Sequence, residues 1–569
     1  MKFKLLAFVA APLLLGACAT IPAAPAEPAY EKGMVSSADP RAAEAGAEIL
    51  RQGGSATDAA LATLLALTVV EPQSSGIGGG GFLLVDDGKG HVDSLDGRET
   101  APMAATPEWF FVDGKPLAVP LAIPGGRSVG VPGNIRLMAE AHRKHGKLAW
   151  AALFGPAIRL ARDGYVITPR LNGFLARFKE TGALSPQGRT LFYQADGVTP
   201  LPAGTTVQNP ALAKFLEALA AHGPDSFYVG PNAVAIASAV STAPRNPAPL
   251  TTGDIASYDA KERPPICVTY RKYKLCGMGP PSSGATTVFG TLGLLERFDL
   301  RGLGKDEPRS WHLIAEAQRL AYADRERYLA DPDFVSVPVA GLLAPDYLAS
   351  RAQLIALDRT MLSVAPGNPA GVKAALADGL QVAEQGTSHF VAVDRWGSAA
   401  TLTSTIESSF GSGLMVNGYF LNNELTDLSI VPDRGGVPVA NRVEGGKRPR
   451  SSMAPTLVYG PDGKLRLAIG AAGGVTIPAQ VLKAIIGVID WDLSAQDAIA
   501  LPVIFAPGGD TVFVEQGSFQ QAMIPALLAL GHKDVRAREA SFKANAVEVV
   551  GGRLVGGADP RSDGRAVGE

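Results

Sequence analysis

The sequence changes character at residues 386–394, where a loose polar run gives way to a strand-like segment. The run over 366–385 has no regular pattern, whereas Gly386 and Thr387 lead directly into alternating apolar residues. Before this point the patterns are mainly helical, and after it hairpins appear. Because strands and helices do not alternate regularly, the chain is predicted to be a layered α+β protein with antiparallel sheet.

Regular patterns occur on both sides of this change. Helical periodicity predicts helices over residues 41–50, 58–70, 135–145, 150–163, 210–222, 233–241, 286–295, 312–329 and 476–491. Turn residues between alternating segments predict two hairpins, 388–393 with 398–404 and 456–459 with 465–469. The charged residues of the 312–329 helix are predicted to form a structural ion-pair network.

The N-terminus is predicted to direct export. Residues 1–17 combine two lysines with a short apolar run and small residues, as in a signal peptide. The four residues that end at Cys18 resemble a bacterial lipoprotein signal, in which this cysteine becomes the lipidated first residue. A secretory peptide cut near Ala19 is the alternative. Residues 18–32, rich in alanine and proline, would form a tether, so a periplasmic or cell-envelope protein with a lipid anchor is expected.

The other two cysteines, Cys267 and Cys276, lie symmetrically about a predicted two-residue turn. A hairpin there would pair Tyr270 with Tyr273 and place the cysteines opposite each other where the strands run closest. A disulfide is then feasible and suits an oxidising compartment. Two reduced structural cysteines are the alternative.

Two formal motif matches carry little weight. Residues 76–81 fit G-x-G-x-x-G, but a dinucleotide site needs the order strand, loop, helix, which is reversed here. Close backbone packing or an oxyanion-binding loop is favoured instead. Residues 126–130 fit G-x-S-x-G, but the helix that a nucleophile elbow requires begins only near Asn134.

The available side chains limit the chemistry. With 46% hydrophobic residues and a net charge of -2, the composition indicates a large core and no nucleic-acid partner. None of the seven histidines shows metal-ligand spacing, so no metal and no cofactor are expected. A threonine at a new N-terminus needs neither, because its α-amine, with an ordinary pKa near 8, serves as its base. Gly386, as a glycine, would offer the least hindrance to attack by Thr387 on the preceding carbonyl group. The alternative is that Thr387 is an ordinary strand residue.

Seven separated motifs resemble those of the γ-glutamyltranspeptidases, and the resemblance runs from about Gly33 to Gly564. The motifs are Asp93-Ser94-Leu95-Asp96-Gly97-Arg98-Glu99-Thr100-Ala101-Pro102, Pro280-Pro281-Ser282-Ser283-Gly284, Gly386-Thr387-Ser388-His389, Leu421-Asn422-Asn423-Glu424-Leu425-Thr426-Asp427, Lys447-Arg448-Pro449-Arg450-Ser451-Ser452-Met453, Gly473-Gly474 and Gly557-Ala558-Asp559-Pro560-Arg561-Ser562. Each is weak alone, and together they are specific because they follow the family's order.

The resemblance implies a fold and an activity. The fold is the four-layer αββα sandwich of N-terminal-nucleophile hydrolases, autocleaved into two interlocked chains, a large subunit of residues 33–386 and a small subunit of residues 387–569. The activity is hydrolysis or transfer of the γ-glutamyl group of glutathione and related compounds through a threonyl ester. A relative with altered acyl specificity, such as a glutaryl-cephalosporin acylase or a poly-γ-glutamate processor, is the alternative, and an inactive envelope binding protein is a third.

The resemblance also implies roles for individual residues. Cleavage would fall between Gly386 and Thr387, with Thr387 as nucleophile and Thr405 orienting its hydroxyl group. The backbone N–H groups of Gly473 and Gly474 would form the oxyanion hole.

Recognition of the substrate's amino-acid head is implied as well. Arg98 with Ser451 and Ser452 would hold the α-carboxylate, and Asp427 with Glu424 would bind the α-ammonium group. Each assignment has a structural alternative. Arg98 could form a surface ion pair, Ser451 and Ser452 could form a turn, and Glu424 and Asp427 could be a capping pair.

Two departures from the family pattern affect these expectations. Glu407 stands where the family usually has asparagine, near the substrate amine, and could strengthen ammonium binding or shift acceptor preference and the pH optimum. The segment between Asp427 and Ser451 is shorter than in members with a full lid, which leaves open the balance between hydrolysis and transfer.

Overall fold

The computed structural model describes residues 30–379 and 386–569. The strands of its two main sheets, in chain order, are β1 Met34–Ser37, β2 Gly80–Asp86, β3 Val92–Asp96, β4 Lys261–Glu262, β5 Ile266–Tyr270, β6 Tyr273–Gly277, β7 Ser388–Val393, β8 Ala399–Thr405, β9 Thr456–Tyr459, β10 Leu465–Ala472, β11 Lys543–Val550, β12 Arg553–Ala558 and β13 Arg565–Gly568. The first sheet has the order β13-β1-β7-β8-β2-β3-β4 and the second β12-β11-β10-β9-β6-β5. All neighbouring strands in both sheets are antiparallel.

Helices cover the outer faces of both sheets. Those of at least eight residues are α1 Pro40–Arg51, α2 Ala56–Val70, α3 Asn134–His145, α4 Gly155–Asp163, α5 Pro169–Arg177, α6 Pro210–His222, α7 Pro231–Ser241, α8 Gly284–Leu295, α9 Pro308–Tyr328, α10 Pro345–Ala352 and α11 Ile477–Ile489. α1 and α2 pack on the first sheet, whereas α8, α9 and α11 pack on the second.

The sequence of α2 explains its central position. Ser55 and Asp58 form a reciprocal capping box at its N-terminus, which satisfies backbone N–H groups that the helix leaves unpaired. Every residue of the helix is buried, as its nearly continuous alanine and leucine content requires.

A third apolar layer lies between the two sheets. Leu84 and Val391 of the first sheet pack in one cluster with Leu457, Ala468 and Val547 of the second. Helix, sheet, sheet and helix therefore follow one another through the molecule, and the predicted four-layer sandwich is confirmed.

Segments from before and after Gly386 share both sheets. In the first sheet β7 and β8 lie between β1 and β2, and in the second β9 pairs with β6. A chain divided at this point would remain held together by these pairings along the strands.

Local predictions agree with the structure except at some boundaries. The two hairpins form with the expected partners, and Cys267 and Cys276 are joined by a disulfide on β5 and β6 with Tyr270 opposite Tyr273. The predicted helix at 150–163 begins instead with a 3-10 segment, Trp150–Phe154. Cys18 and the predicted signal lie outside the described residues, among which no helix is long and apolar enough to cross a membrane.

Candidate active site

The hairpin of β7 and β8 brings the two predicted catalytic threonines together. Ser388 pairs with Ser404 in the register of the hairpin, so Thr387 and Thr405 lie side by side at its open end. Their Oγ1 atoms are 3.2 Å apart, and both residues are buried.

The peptide bond before Thr387 is held from both sides. The carbonyl oxygen of Gly386 accepts a hydrogen bond from Thr405 Oγ1 at 2.9 Å and lies within hydrogen-bond distance of Thr387 Oγ1. The N–H of Gly386 donates to the carbonyl oxygen of Glu407 at 2.8 Å. A side chain at position 386 would place its Cβ 2.6 Å from that oxygen, so the tight approach requires glycine.

The glycine pair proposed for the oxyanion hole follows β10. Gly473 and Gly474 have φ values of 128° and 58°, in the region that favours glycine. Lys543 connects them to the residue after Thr387: its backbone pairs with Ala472, and its Nζ lies 3.5 Å from Ser388 Oγ. The glycines and the start of β7 therefore lie at the same end of the stacked sheets.

The glycine-rich loop supports this end of the hairpin. A Cβ on Gly79 would overlap the carbonyl oxygen of Thr405, and one on Gly78 would overlap that of Phe420. The loop is thus a close-packing element, which is one of the two expected roles. Ser128 of the other formal motif donates to the carbonyl oxygen of Ile123 at 2.6 Å, as a structural hydroxyl would.

A buried ionic cluster surrounds Arg98, whose side chain is only 1% exposed. Its guanidinium group donates to Glu424 and Asp427, which a short 3-10 turn presents side by side. It also donates to the backbone carbonyl oxygens of Pro449 at 3.2 Å and Arg450 at 3.1 Å. The fork geometry of arginine makes such a multiple contact possible.

The cluster holds an excess of buried acid. Glu99 and Glu407 lie near the same guanidinium group, so four carboxyl groups surround one arginine. Burial raises the pKa of Glu407 to about 8 and that of Glu99 to about 7, and the nearby charge of Asp427 adds to both shifts. Burial also raises the pKa of Glu424 well above its usual range. The site therefore retains protons that a bound ammonium group could replace.

Glu407 is held by the neighbouring asparagine motif. Its carboxylate accepts from the amide group of Asn423, whose own Oδ1 accepts from Ser408 N at 2.9 Å. The backbone of Glu407 has a φ of 75° and donates to Thr405 Oγ1 at 2.8 Å. Glu407 thus contacts Thr405 through its backbone and the acidic cluster through its side chain.

Of the two predicted substrate-binding serines, Ser451 is held by the P-P-S-S-G motif and Ser452 by Arg325. Ser283 donates to the carbonyl oxygen of Ser451 through its N–H at 2.7 Å and its hydroxyl group at 2.6 Å. Ser452 Oγ accepts from Arg325 Nη2 at 2.8 Å. Arg325 belongs to α9, whose charges the sequence assigned to a structural network, yet it contacts a predicted binding residue.

Sequence reasoning missed one buried ion pair next to Ser388, the residue after Thr387. Lys543 Nζ lies 3.1 Å from Glu71, and Glu71 Oε2 accepts from Ser388 Oγ at 2.6 Å. Burial disfavours the ionised Glu71 carboxyl group, but the attraction of Lys543 and Arg170 together with the hydrogen bond from Ser388 outweighs it and lowers the pKa of this group. The one feature of the sequence that points to this pair is an acidic residue, Glu71, at the C-terminal end of the apolar helix α2.

No histidine contributes to the threonine pair. His389 points into the layer between the sheets, where burial lowers its pKa to about 3, and its Nδ1 lies 2.8 Å from Thr403 Oγ1. Among the described residues no cluster of three or more potential ligands could hold a metal ion. The arrangement provides a hydroxyl nucleophile, a polarised carbonyl group and a separate charged pocket.

Comparisons with known proteins agree with this geometry. The family model described as Gamma-glutamyltranspeptidase matches residues 42–569. The glutathione hydrolase proenzyme of Bacillus subtilis (strain 168) is 36% identical over 556 residues, covering 94% of this chain and 91% of that protein. Its counterpart from Escherichia coli (strain K12) is 34% identical and covers 97% of both. The cephalosporin acylase structure from Bacillus halodurans has a TM-score of 0.83 at 28% identity, over 95% of this chain and 96% of that one.

Proposed function

Because this chain belongs to the gamma-glutamyltranspeptidase family, we propose that Thr387 first cleaves its own chain and then carries the γ-glutamyl group of the substrate. The chain is an autoprocessed hydrolase and acyltransferase of the glutathione hydrolase type. The observation that carries the residue assignment is the contact of Thr387 Oγ1 with both Thr405 Oγ1 and the carbonyl oxygen of Gly386.

Autocleavage begins with attack by Thr387 Oγ1 on the carbonyl carbon of Gly386. The carbon–nitrogen bond breaks, the nitrogen atom takes up the hydroxyl proton, and an ester replaces the amide. Water then hydrolyses the ester and leaves a carboxylate on Gly386 and a free α-amine on Thr387. Large and small subunits of 33–386 and 387–569 result, joined through the shared sheets.

Turnover uses the same oxygen atom. The α-amine of Thr387 accepts the hydroxyl proton as Oγ1 attacks the γ-carbonyl carbon of the substrate. The N–H groups of Gly473 and Gly474 stabilise the oxyanion, and the protonated α-amine then delivers its proton to the leaving nitrogen atom. Water or an acceptor amine then attacks the γ-glutamyl ester. The α-amine of Thr387 takes up the proton of the attacking group and returns it to Thr387 Oγ1.

The Arg98 cluster binds the amino-acid head by exchange of ion pairs. In the uncleaved chain Arg98 pairs with Glu424 and Asp427. A substrate carboxylate takes over part of the guanidinium group, with Ser451 and Ser452 nearby, and the substrate ammonium group pairs with the carboxylates. Each buried charge therefore keeps a partner of opposite sign, which avoids the large penalty of an unpaired buried ion.

N-terminal sequencing of the purified protein and of Thr387→Ala tests the assignment. We expect two chains from the wild type, one of them beginning at Thr387, and a single inactive chain from the variant. Cleavage at another bond, or an active Thr387→Ala protein, would contradict it.

An acylase of altered specificity is the second candidate, favoured by the likeness to the cephalosporin acylase. The anilides of γ-glutamate and glutarate differ only in the α-ammonium group. Because Glu407, Glu424 and Asp427 surround the proposed ammonium site, we expect the γ-glutamyl anilide to have the higher kcat/KM. A preference for the glutaryl anilide would support the acylase.

Export and lipid anchoring through Cys18 complete the proposal and rest on the N-terminal sequence alone. Labelling with a fatty acid should mark the wild-type protein and not Cys18→Ser. A Cys18→Ser protein that still carries the label would contradict the anchor.

A further inference from the structure

The apolar helix α11 carries a buried glutamine in its first turn. Every residue of the helix is buried, and Gln480 is 0% exposed. A buried amide group without hydrogen bonds is costly, so its partners indicate why glutamine stands at this position. Its Nε2 atom donates to the carbonyl oxygen of Ala472 at 2.8 Å and to Thr476 Oγ1 at 3.1 Å. Gln480 therefore reaches back to the turn that follows β10.

The hydroxyl group of Thr476 continues this chain of hydrogen bonds. Thr476 directly precedes α11, and its Oγ1 donates backwards to the carbonyl oxygen of Gly473 at 2.8 Å. Because Oγ1 accepts from Gln480, its own proton is left for Gly473. The carbonyl oxygens of Ala472 and Gly473 are thus held toward one connected pair of side chains.

These two carbonyl groups belong to the peptide units that contain the proposed oxyanion donors. The unit after Ala472 carries the N–H of Gly473, and the unit after Gly473 carries the N–H of Gly474. In a planar trans peptide the C=O and N–H groups point in opposite directions. Because both carbonyl oxygens face Gln480 and Thr476, both N–H groups are directed to the opposite side of the turn.

The opposite side is that of the nucleophile. α11 packs on the outer face of the second sheet. On the inner face of this sheet, a Cβ on Gly470 would overlap the ring of His389, which lies on β7 two residues after Thr387. N–H groups that point away from α11 therefore point toward the first sheet, in which β7 begins next to Thr387.

The amide and hydroxyl groups lie directly against the turn. A Cβ on Gly473 would lie 2.9 Å from Gln480 Nε2 and 3.0 Å from Thr476 Oγ1. A further contact comes from α9, where the hydroxyl group of Tyr322 donates to the carbonyl oxygen of Val475 at 2.6 Å. The peptide unit after Val475 carries neither oxyanion donor, so this bond holds the turn without aiming those two N–H groups.

We propose that Gln480 and Thr476 are positioning residues for the reaction of Thr387. They aim the two oxyanion donors, the N–H groups of Gly473 and Gly474, at the carbonyl oxygen of the substrate. The inference rests on the proposed function and extends it from the donors to the side chains that orient them. When Thr387 attacks, the charge that develops on this oxygen meets N–H groups already in place, so the turn does not need to reorganise.

Variants that lack one of the two side-chain donors test the proposal in the autocleaved enzyme. Thr476→Val keeps the branched shape without the hydroxyl group, and Gln480→Met keeps the length without the amide group. We expect kcat for a γ-glutamyl anilide to fall about 10- to 100-fold in each. The loss is smaller than for an absent oxyanion donor, because the N–H groups remain but are no longer held.

Binding of the amino-acid head should not change. L-norvaline has the same carbon chain as the γ-glutamyl group but a methyl group in place of the carbonyl group, so it occupies the head site without using the oxyanion donors. Its competitive inhibition constant should stay within about twofold of the wild-type value in both variants, because only an interaction made in the transition state is lost. Equally weakened norvaline binding would show a general distortion of the site and overturn the inference.

Thr476→Ser and Tyr322→Phe are the matched comparisons. Serine keeps the hydroxyl group and should restore kcat to within about twofold of the wild type. Tyr322→Phe removes one hydrogen bond from the same turn, at a peptide unit without an oxyanion donor, and should also stay within about twofold. Thr476 is only partly buried, so its variants decide the question by themselves if Gln480→Met does not fold.

Two results would overturn the inference and leave the proposed function intact. One is a wild-type kcat in Thr476→Val, and the other is an equal loss of kcat in Tyr322→Phe, which would show that the turn needs only general rigidity. A wild-type protein that does not hydrolyse the anilide would overturn the proposed function itself.

Discussion

The hydroxyl group of Thr405 donates to the carbonyl oxygen of Gly386 at 2.9 Å in the uncleaved chain. The N–H of Glu407 donates to the same hydroxyl oxygen at 2.8 Å, which leaves the hydroxyl proton directed at the carbonyl group. If Thr387 attacks this carbonyl group, Thr405 is therefore placed to stabilise the resulting oxyanion. We propose that it supports autocleavage by polarising the Gly386 carbonyl group as well as by contacting Thr387.

Replacing Thr405 with valine should slow autocleavage by about 10²- to 10³-fold, as for loss of one oxyanion donor. Valine keeps the branched shape but has no hydroxyl group. The measurement is the rate at which a chain beginning at Thr387 appears in freshly purified protein, with circular dichroism to verify folding. Thr405→Ser retains the hydroxyl group and should cleave at close to the wild-type rate. Wild-type cleavage by Thr405→Val would contradict the role.

Replacing Arg98 with glutamine should separate the two proposed functions of Thr387. Arg98 contacts Glu424 and Asp427, whereas Thr387 and Gly386 contact Thr405 and Glu407. We expect autocleavage to persist, while kcat/KM for a γ-glutamyl anilide falls by at least about 100-fold because a charge-assisted contact to the carboxylate is lost.

Arg98→Lys is the control for this experiment. Lysine keeps the charge without the fork, so we expect a kcat/KM between those of the wild type and Arg98→Gln. Full activity of Arg98→Gln would remove Arg98 from substrate binding. An uncleaved Arg98→Gln protein would show that the cluster also serves autocleavage.

Local sequence rules predicted the parts of the site that depend on neighbouring residues. The alternation of β7 and β8 with a short turn predicted their hairpin, and the same rule placed Cys267 opposite Cys276, whereas the contact of Thr387 with Thr405 was implied by the family resemblance. A period of two fixes which residues face each other once the turn is located.

Contacts between distant segments could not be found in this way. Arg98 and Asp427 are 329 positions apart, and Glu71 and Lys543 are 472 apart. Such pairs depend on how two sheets stack, which no local periodicity specifies. Family motifs indicated that Arg98 and Asp427 belong to one site but assigned them to opposite ends of a substrate, whereas they pair with each other in the uncleaved chain.

Glu407 should make the stability of the uncleaved protein depend on pH. Burial raises the pKa of its carboxyl group from 4.5 to about 8, so between these values the folded chain holds a proton that the unfolded chain has lost. The contribution of Glu407 to the free energy of unfolding is therefore fully present below pH 4.5 and falls as the pH rises to about 8.

Glu407→Gln, made in the Thr387→Ala background to keep the chain intact, removes this titration and preserves an acceptor for Asn423. We expect its Tm to be close to that of the parent at pH 4 and to exceed it by about 2 °C or more at pH 9. Equal Tm differences at both pH values would show that Glu407 does not titrate in this range.

The buried pair of Glu71 and Lys543 should be strongly coupled. Both side chains are at most 5% exposed, and Glu71 also accepts from Ser388 beside the nucleophile. Lys543→Met leaves the Glu71 carboxylate buried without its ion-pair partner, which should reduce the free energy of unfolding by about 3–5 kcal/mol. Glu71→Gln/Lys543→Met removes both charges and should recover more than half of that loss, because no unpaired ion remains.

Urea unfolding of both variants in the Thr387→Ala background measures the difference, with Lys533→Met, at an exposed lysine, as the control. A double variant no more stable than Lys543→Met would show that packing of the lysine stem, rather than the ion pair, stabilises this end of the sheets.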